Sequence, residues 1–260
     1  MSDGKLKIGV YELTGCAGDA LMIVDCEDEL LDIFQAVDVQ SFAMAKSDNV
    51  EGQLDVALVE GSVTTRREIE ELKDIRQRTK VVVAFGSCAT VGGIQARFSD
   101  PEVWQKNYRA VFGNTEFPHA KAMPSKPIDA FIDVDFYLPG CPVSKEQLLN
   151  LLTRIIGGNP PEDYPQPVCV TCKYRENDCL LTRREFCLGP LIADGCGAVC
   201  PSHNLPCVGC WGPVKGANVA AGLQVLMECG FSLEEAKQRL SNYSGARARE
   251  LLAQLERESR

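Results

Sequence analysis

The sequence lacks the features that mark several large classes of protein. Its purely apolar stretches are short, such as residues 81–85, whereas a bilayer-spanning helix needs about 20 apolar residues, so no membrane span is predicted. The first residues carry neither an apolar signal core nor a twin arginine, which predicts a cytoplasmic rather than an exported protein. Acidic residues outnumber basic ones, 36 against 27, with no concentrated basic patch, which argues against nucleic acid as a partner.

Cysteine, by contrast, is abundant, with 13 among 260 residues. A disulfide framework fits poorly because the number is odd, the chain is not small and no secretion signal is evident. Thiolates that bind metal are the better interpretation. Eight of the cysteines fall between residues 169 and 210, while three others lie singly and far apart. We therefore expect two different kinds of metal site.

The first 160 residues alternate strand and helix patterns. Strands are predicted at 7–11, 37–45, 54–59, 81–86 and 134–138, and helices at 20–35, 65–77 and 144–157. The wholly apolar strand 81–86 is typical of a parallel strand that is buried on both faces. Strands that alternate with helices predict an α/β fold with a parallel, doubly wound sheet.

Residues 159–167 hold four prolines in nine positions and predict a linker or domain edge. The cysteine-rich stretch 168–213 has no lasting helical or strand periodicity, so we expect it to need a metal to stay folded. Helices are predicted again at 216–228, at 232–240 and towards the C-terminus. The predicted domains are therefore 1–160, 161–215 and 216–260.

Three isolated cysteines, Cys16, Cys88 and Cys141, each follow the carboxyl end of a predicted strand. Open α/β sheets bind ligands at that edge, so three thiols there suggest one shared ligand. A four-coordinate iron–sulfur cluster would need a fourth group. Asp19 occupies the position that the second cysteine of a C-x-x-C motif would take, and a carboxylate can bind iron. The alternative role for Asp19 is the N-cap of the helix that follows.

The eight clustered cysteines divide most simply into two successive groups of four. The groups are Cys169, Cys172, Cys179 and Cys187, then Cys196, Cys200, Cys207 and Cys210. Two four-cysteine zinc sites are the main alternative, since C-x-x-C pairs also build zinc ribbons. The sites adjoin without ribbon-like spacers, and Cys-Pro pairs occur at 141–142 and 200–201, which favours iron–sulfur clusters.

Several blocks of sequence are distinctive. They are Tyr-Glu-Leu-Thr-Gly-Cys-Ala-Gly-Asp (11–19), Asp-Val-Ala-Leu-Val-Glu-Gly-Ser (55–62), Ala-Phe-Gly-Ser-Cys-Ala-Thr-Val-Gly-Gly-Ile (84–94), Leu-Pro-Gly-Cys-Pro (138–142), the stretch 187–202 and Cys-Val-Gly-Cys-Trp-Gly-Pro (207–213). With them the chain resembles the small subunit of cytoplasmic [NiFe] hydrogenases. It is similar to the sulfhydrogenase delta, methyl-viologen-type and deazaflavin-reducing gamma subunits, and more distantly to the complex I subunit that carries the terminal cluster.

The resemblance implies a flavodoxin-like domain with a proximal [4Fe–4S] cluster, and a smaller domain with a medial and a distal [4Fe–4S] cluster. It assigns as proximal ligands Cys16, Asp19, Cys88 and Cys141; as medial ligands Cys196, Cys200, Cys207 and Cys210; and as distal ligands Cys169, Cys172, Cys179 and Cys187. Most of these subunits have cysteine where this chain has Asp19. Exported hydrogenases often have histidine where this chain has Cys169, which favours the cytoplasmic branch.

A few residues stand outside this assignment. Cys26 and Cys229 lie in helix patterns and are expected to be small buried hydrophobic residues. His119 and His203 are not needed as ligands. Glu60 resembles a family position near the proximal cluster, with a proton path as one interpretation and capping or turn chemistry as the other.

The function implied by the resemblance is electron transfer. Electrons would pass through three clusters between a Ni–Fe large subunit and a further partner that carries flavin or iron–sulfur. The chain itself has no complete active site, no G-x-G-x-x-G motif for a dinucleotide, and cysteines where FMN would need phosphate-binding loops. Two alternatives remain. One is an electron-transfer subunit with the same iron–sulfur clusters in a nickel-free oxidoreductase, and the other is a zinc-stabilised scaffold without redox activity.

Overall fold

The computed structural model describes residues 5–115, 117, 121–161 and 164–258, so His119 lies outside the described residues. The strands are β1 (Leu6–Glu12), β2 (Val37–Phe42), β3 (Leu54–Glu60), β4 (Val63–Thr65), β5 (Thr79–Phe85), β6 (Ala122–Lys126) and β7 (Phe136–Leu138). The helices are α1 (Gly18–Val24), α2 (Glu27–Ala36), α3 (Arg66–Gln77), α4 (Gly86–Val91), α5 (Pro101–Phe112), α6 (Lys145–Ile156), α7 (Val168–Tyr174), α8 (Val199–Ser202), α9 (Val219–Glu228) and α10 (Leu233–Glu258).

Five strands form a parallel sheet in the order β2-β1-β3-β5-β7. Counted along the chain within this sheet, the order is 2-1-3-4-5, which is that of flavodoxin-like folds. The predicted parallel, doubly wound sheet is therefore confirmed. A second, two-stranded sheet pairs β4 with β6 in antiparallel fashion and was not predicted.

Alternate residues of each central strand point to opposite faces of the sheet, as the two-residue repeat of a strand requires. On β5, Val83 and Phe85 belong to the apolar core of one face, and Val82 and Ala84 to that of the other. Helix α3 covers the second face with Leu72 and its apolar neighbours. Because both faces are covered, the loops at the strand ends are the part of the sheet left free to bind ligands.

The predicted helix at 20–35 is in fact two helices, α1 and α2, which meet at Asp25 and Cys26. Cys26 is the N-cap residue of α2, and its thiol donates a hydrogen bond to the carbonyl of Met22 at 3.3 Å. The predicted strand at 37–45 ends earlier, at Phe42, where the Asn49 side chain accepts the backbone N–H at 2.7 Å. The break in the helix and the earlier end of the strand both coincide with local hydrogen bonds. The hydrophobic pattern of the sequence does not indicate such bonds.

The cysteine-rich stretch contains little regular structure, as predicted, although the short helices α7 and α8 were not foreseen. Its apolar side chains Leu188, Ile192 and Trp211 join the same core as one face of the sheet. Leu223 of α9 and Leu240 of α10 belong to that core as well. The division into domains at 160 and 215 stays a prediction.

The predicted C-terminal helices are present, but the last two merge into α10, which is kinked at Ser244. This helix returns to the sheet domain and packs on the 3₁₀ turn Ile94–Phe98. A Cβ at Gly245 would lie 2.7 Å from the backbone of Ala96, and Arg249 donates to the Ala96 carbonyl at 2.7 Å. Among the described residues, no helix has the length and apolar character needed to cross a bilayer.

Candidate metal centres

The predicted proximal residues come together at the carboxyl edge of the sheet. Cys16 lies in the loop after β1, Cys88 lies in α4 directly after β5, and Cys141 follows β7. Burial, and to a smaller extent the charges of Cys141, Asp19 and Cys16, together raise the pKa of the Cys88 thiol to about 12. We call these four residues the proximal group. Three parallel strands thus deliver three thiols and a carboxylate to one place.

The loop that carries Cys16 is fastened to the loop between β3 and β4. Leu13 donates its backbone N–H to the Glu60 carbonyl at 2.9 Å, and the Ser62 N–H reaches the Thr14 carbonyl at 2.8 Å. The Thr14 hydroxyl also donates to the carboxylate of Glu68 at 2.5 Å. Glu68 completes a capping box with Thr65 at the start of α3. The position of Cys16 is therefore set by the next strand of the sheet.

Asp19 does not cap α1, because Ala17 is the N-cap residue of that helix. Its carboxylate instead accepts the backbone N–H of Val143 at 2.9 Å, in the loop that follows Cys141. On its other side lies Gly86, where any Cβ would overlap the carboxylate. Burial raises the pKa of Asp19 to about 6, against the lowering effect of the Val143 amide. The N-cap alternative is therefore wrong, and the carboxylate lies between the loops of two proximal cysteines.

Glu60 lies beside Asp19 and is almost fully buried. It accepts the backbone N–H of Ala20 at 2.5 Å. The pKa of Glu60 is raised to about 7, mainly by burial and also by the charge of Asp19, although the hydrogen bond from the Ala20 amide lowers it. Two acids therefore share this buried edge of the sheet next to the thiols.

The eight remaining predicted ligands form two further groups in the cysteine-rich stretch. In the distal group, α7 carries Cys169 and Cys172. Burial, and to a smaller extent the charges of Cys187, Cys172 and Cys179, together raise the pKa of Cys169 to about 12. The amide of Asn177 donates to Cys172 Sγ at 3.7 Å. These four thiols are the ones that the sequence assigned to one site.

The medial group comprises Cys196, Cys200, Cys207 and Cys210. Burial, and to a smaller extent the charges of Cys196 and Cys200, together raise the pKa of Cys210 to about 12. Burial also raises the pKa of Cys196 and of Cys207, but backbone N–H groups oppose it at both thiols: those of Ala198 and Val199 at Cys196, and that of Gly209 at Cys207. Backbone donors around a sulfur stabilise its thiolate form, which is the form that binds metal.

Glycines leave room around the sulfur atoms. A Cβ at Gly93 would lie 2.7 Å from Cys88 Sγ, and one at Gly189 would lie 3.1 Å from Cys169 Sγ. A side chain at either position would crowd the thiol that it faces. Among the described residues, no three His, Cys, Asp or Glu side chains are placed to hold a single metal ion. The thiols and their backbone donors suit iron–sulfur clusters.

Hydrogen bonds connect the three groups in order. The hydroxyl of Ser87, the residue before the proximal Cys88, donates to the backbone carbonyl of Cys210 in the medial group. The backbone N–H of Cys207, a medial residue, donates to Cys187 Sγ in the distal group at 3.4 Å. The groups therefore form a continuous series, proximal to medial to distal.

The remaining residues singled out from the sequence lie outside these groups. All 13 cysteines are free thiols. The thiol of Cys229 donates to the Leu181 carbonyl at 3.4 Å, and this residue ends α9, so neither it nor Cys26 lies inside a helix as predicted. Cys229 is only partly buried, whereas Cys26 is fully buried as expected. His203 is exposed and pairs with the Val199 carbonyl at 2.9 Å.

Comparison with known proteins identifies the family. Residues 16–155, more than half of the chain, match the family model described as NADH ubiquinone oxidoreductase, 20 Kd subunit. The chain belongs to this family. Within the 20 Kd subunit family it is similar to sulfhydrogenase 2 subunit delta of Pyrococcus furiosus, with 41% identity over 92% of this chain and 99% of the relative. The predicted resemblance to hydrogenase subunits is thereby confirmed.

Solved structures agree with the family. A crystal structure of an NAD⁺-reducing [NiFe]-hydrogenase in the H₂-reduced state contains a chain that is 27% identical; the match has a TM-score of 0.53 and covers 61% of this chain and 95% of that one. A [NiFeSe]-hydrogenase chain of Desulfomicrobium baculatum shares the fold at 17% identity, with a TM-score of 0.56 over 80% of this chain and 95% of that one. This member of the 20 Kd subunit family is thus a hydrogenase subunit homologue, and its cysteines indicate iron–sulfur clusters.

Proposed function

We propose that this chain is the electron-transfer small subunit of a cytoplasmic [NiFe] hydrogenase. The proximal, medial and distal groups would each hold one [4Fe–4S] cluster, with Asp19 as the single carboxylate ligand. Bound clusters would supply one-electron redox chemistry. The chain's own residues would hold the thiols, bury Cys207 and fix the order of the three sites.

One observation carries this proposal: hydrogen bonds join neighbouring groups in series. Ser87, the residue before Cys88, donates to the Cys210 carbonyl between the proximal and medial groups, and the Cys207 N–H donates to Cys187 Sγ between the medial and distal groups. A relay needs each site to lie close to the next one. Two unrelated zinc sites would not need this contact with a third group at the edge of the sheet.

The two ends of the series reach the surface, which a relay between two partners requires. At the proximal end, the thiols of Cys16 and Cys141 are exposed. At the distal end, Tyr174 of α7 is 91% exposed, two residues after Cys172. The medial and distal groups each contain one buried thiol, Cys207 and Cys187, and three partly buried ones. We assign the proximal edge to the large Ni–Fe subunit and the distal surface to a further electron carrier with flavin or iron–sulfur.

The test is an anaerobic affinity purification of the tagged chain from its native cell, followed by metal analysis of the complex. About twelve irons per chain are expected, since three cubane clusters hold four each, together with nickel in a co-purifying large subunit. Iron without nickel would preserve the relay and refute the hydrogenase assignment. Zinc in place of iron would refute the relay itself.

A further inference from the structure

Two buried serines, Ser87 and Ser244, each donate a hydrogen bond to the medial loop 207–210. Ser87 belongs to α4 and directly precedes Cys88 of the proximal group. Its hydroxyl donates to the backbone carbonyl of Cys210. Ser244, at the kink of α10, donates to the carbonyl of Gly209 at 2.6 Å. Both serines are almost completely inaccessible to solvent, so their hydroxyls must find partners within the protein.

Ser87 also contacts the loop of the third proximal cysteine. Its backbone N–H and its hydroxyl both reach the Gly140 carbonyl, at 2.7 and 2.8 Å, directly before Cys141. The single hydroxyl proton is therefore shared between the Gly140 and Cys210 carbonyls. One side chain thus joins the Cys88 helix, the Cys141 loop and the Cys210 loop. Within the described part of the chain, the Ser244 hydroxyl donates to the medial loop and makes no hydrogen bond to the proximal loops.

We propose that Ser87 is a positioning residue for the junction between the proximal and medial sites. The inference rests on the proposed function, because it concerns the step from one cluster to the next. One electron crosses this junction, so the proximal side is oxidised as the medial side is reduced, and no bond or proton changes. Ser87 fixes the separation of the two sides by binding the Cys141 and Cys210 loops to each other.

The test compares Ser87→Ala with Ser244→Ala in the full-length chain, purified anaerobically with its iron. Each variant removes one buried hydroxyl that binds the same loop, so the two are matched. Three quantities are measured: iron per chain, hydrogen exchange of peptides 138–143 and 207–213, and the electron paramagnetic resonance spectrum after dithionite reduction. Magnetic interaction between neighbouring reduced clusters splits that spectrum and reports their separation and orientation.

We expect Ser87→Ala to keep its iron, to exchange faster in both peptides, and to lose part of the splitting seen in the wild type. Ser244→Ala should exchange faster only in 207–213 and keep the wild-type splitting. The inference is overturned if the two variants give the same spectrum and exchange pattern. It is also overturned if Ser87→Ala alone loses iron, since Ser87 would then support one cluster rather than the junction.

Failure of the proposed function gives a different result. A wild-type chain that carries zinc in place of iron would refute the relay, whatever the variants do. The exchange comparison would still decide whether Ser87 joins the two loops, because the zinc-bound loops stay folded and hydrogen exchange needs no cluster signal. The outcome for Ser87 and the outcome for the relay are therefore read separately.

Discussion

The sheet domain and the cysteine-rich stretch hold their cysteines in different ways. In the sheet domain, parallel strands with a covered core on each face bring the proximal loops to one edge. In residues 168–213, the longest regular element is the seven-residue helix α7, and the thiols of Cys172 and Cys187 are themselves hydrogen-bond acceptors. We expect the first arrangement to form before metal binds. We expect the second to depend on metal, because little regular backbone structure holds that stretch together.

The largest expected effect comes from removing a buried ligand of the medial group. Cys207→Ser should abolish the medial cluster and unfold residues 168–213, because the thiol is buried among the other ligands. Cys16→Ser should lose only the proximal cluster, because its loop is held by β3 and β4. Iron analysis and hydrogen exchange of the sheet domain and of residues 168–213 measure both effects. Equal unfolding in the two variants would contradict the proposed difference between these regions.

A second comparison uses apolar core residues. Leu58→Ala in β3 and Leu188→Ala in the cysteine-rich stretch should each lower the free energy of unfolding by about 2–5 kcal/mol in the iron-loaded chain. Both side chains are fully buried. After anaerobic chelation, Leu58→Ala should retain its effect while that of Leu188→Ala disappears, because the region around Leu188 is then unfolded. Denaturant titration followed by circular dichroism measures both, and an unchanged Leu188→Ala effect would contradict the prediction.

A third, more local effect concerns Asp19. Asp19→Asn retains an oxygen that can accept the Val143 N–H but loses the negative charge, so proximal iron should fall while the unfolding midpoint changes little. Asp19→Cys should instead retain iron and shift the potential and magnetic resonance signal of the proximal cluster. Redox titration monitored by magnetic resonance makes the measurement. A cysteine variant with the wild-type signal and potential would show that Asp19 is not a ligand.

The smallest effect is expected from the cap of α3. Thr65→Ala removes the side-chain acceptor at the N-cap and should cost about 1 kcal/mol of stability. Because Glu68 still accepts the Thr14 hydroxyl, the iron content should not change. A thermal melt and an iron assay test this together. Loss of proximal iron would mean that the cap, and not only Glu68, positions the Cys16 loop.

Much of the fold was predictable because its signals are local. The apolar strand 81–86 and the Ser144 cap both appear within a few residues of their predictions, since periodicity and capping act over short distances. The break at Cys26 and the exposed helix α5 were not predicted. Neither is required by the hydrophobic pattern that distinguishes strands from helices.

In the candidate sites, too, the local features could be predicted from the sequence and the long-range contacts could not. The sequence alone predicted which thiols form each group, because motif spacing and strand ends place them near one another. Only the tertiary structure decided what Asp19 and Ser87 bind: Val143 is 124 positions from Asp19, and Cys210 is 123 positions from Ser87. Contacts over such separations depend on how whole elements pack. For this reason no local sequence pattern predicts these two contacts. They form only when the sheet, the cysteine-rich stretch and α10 pack together.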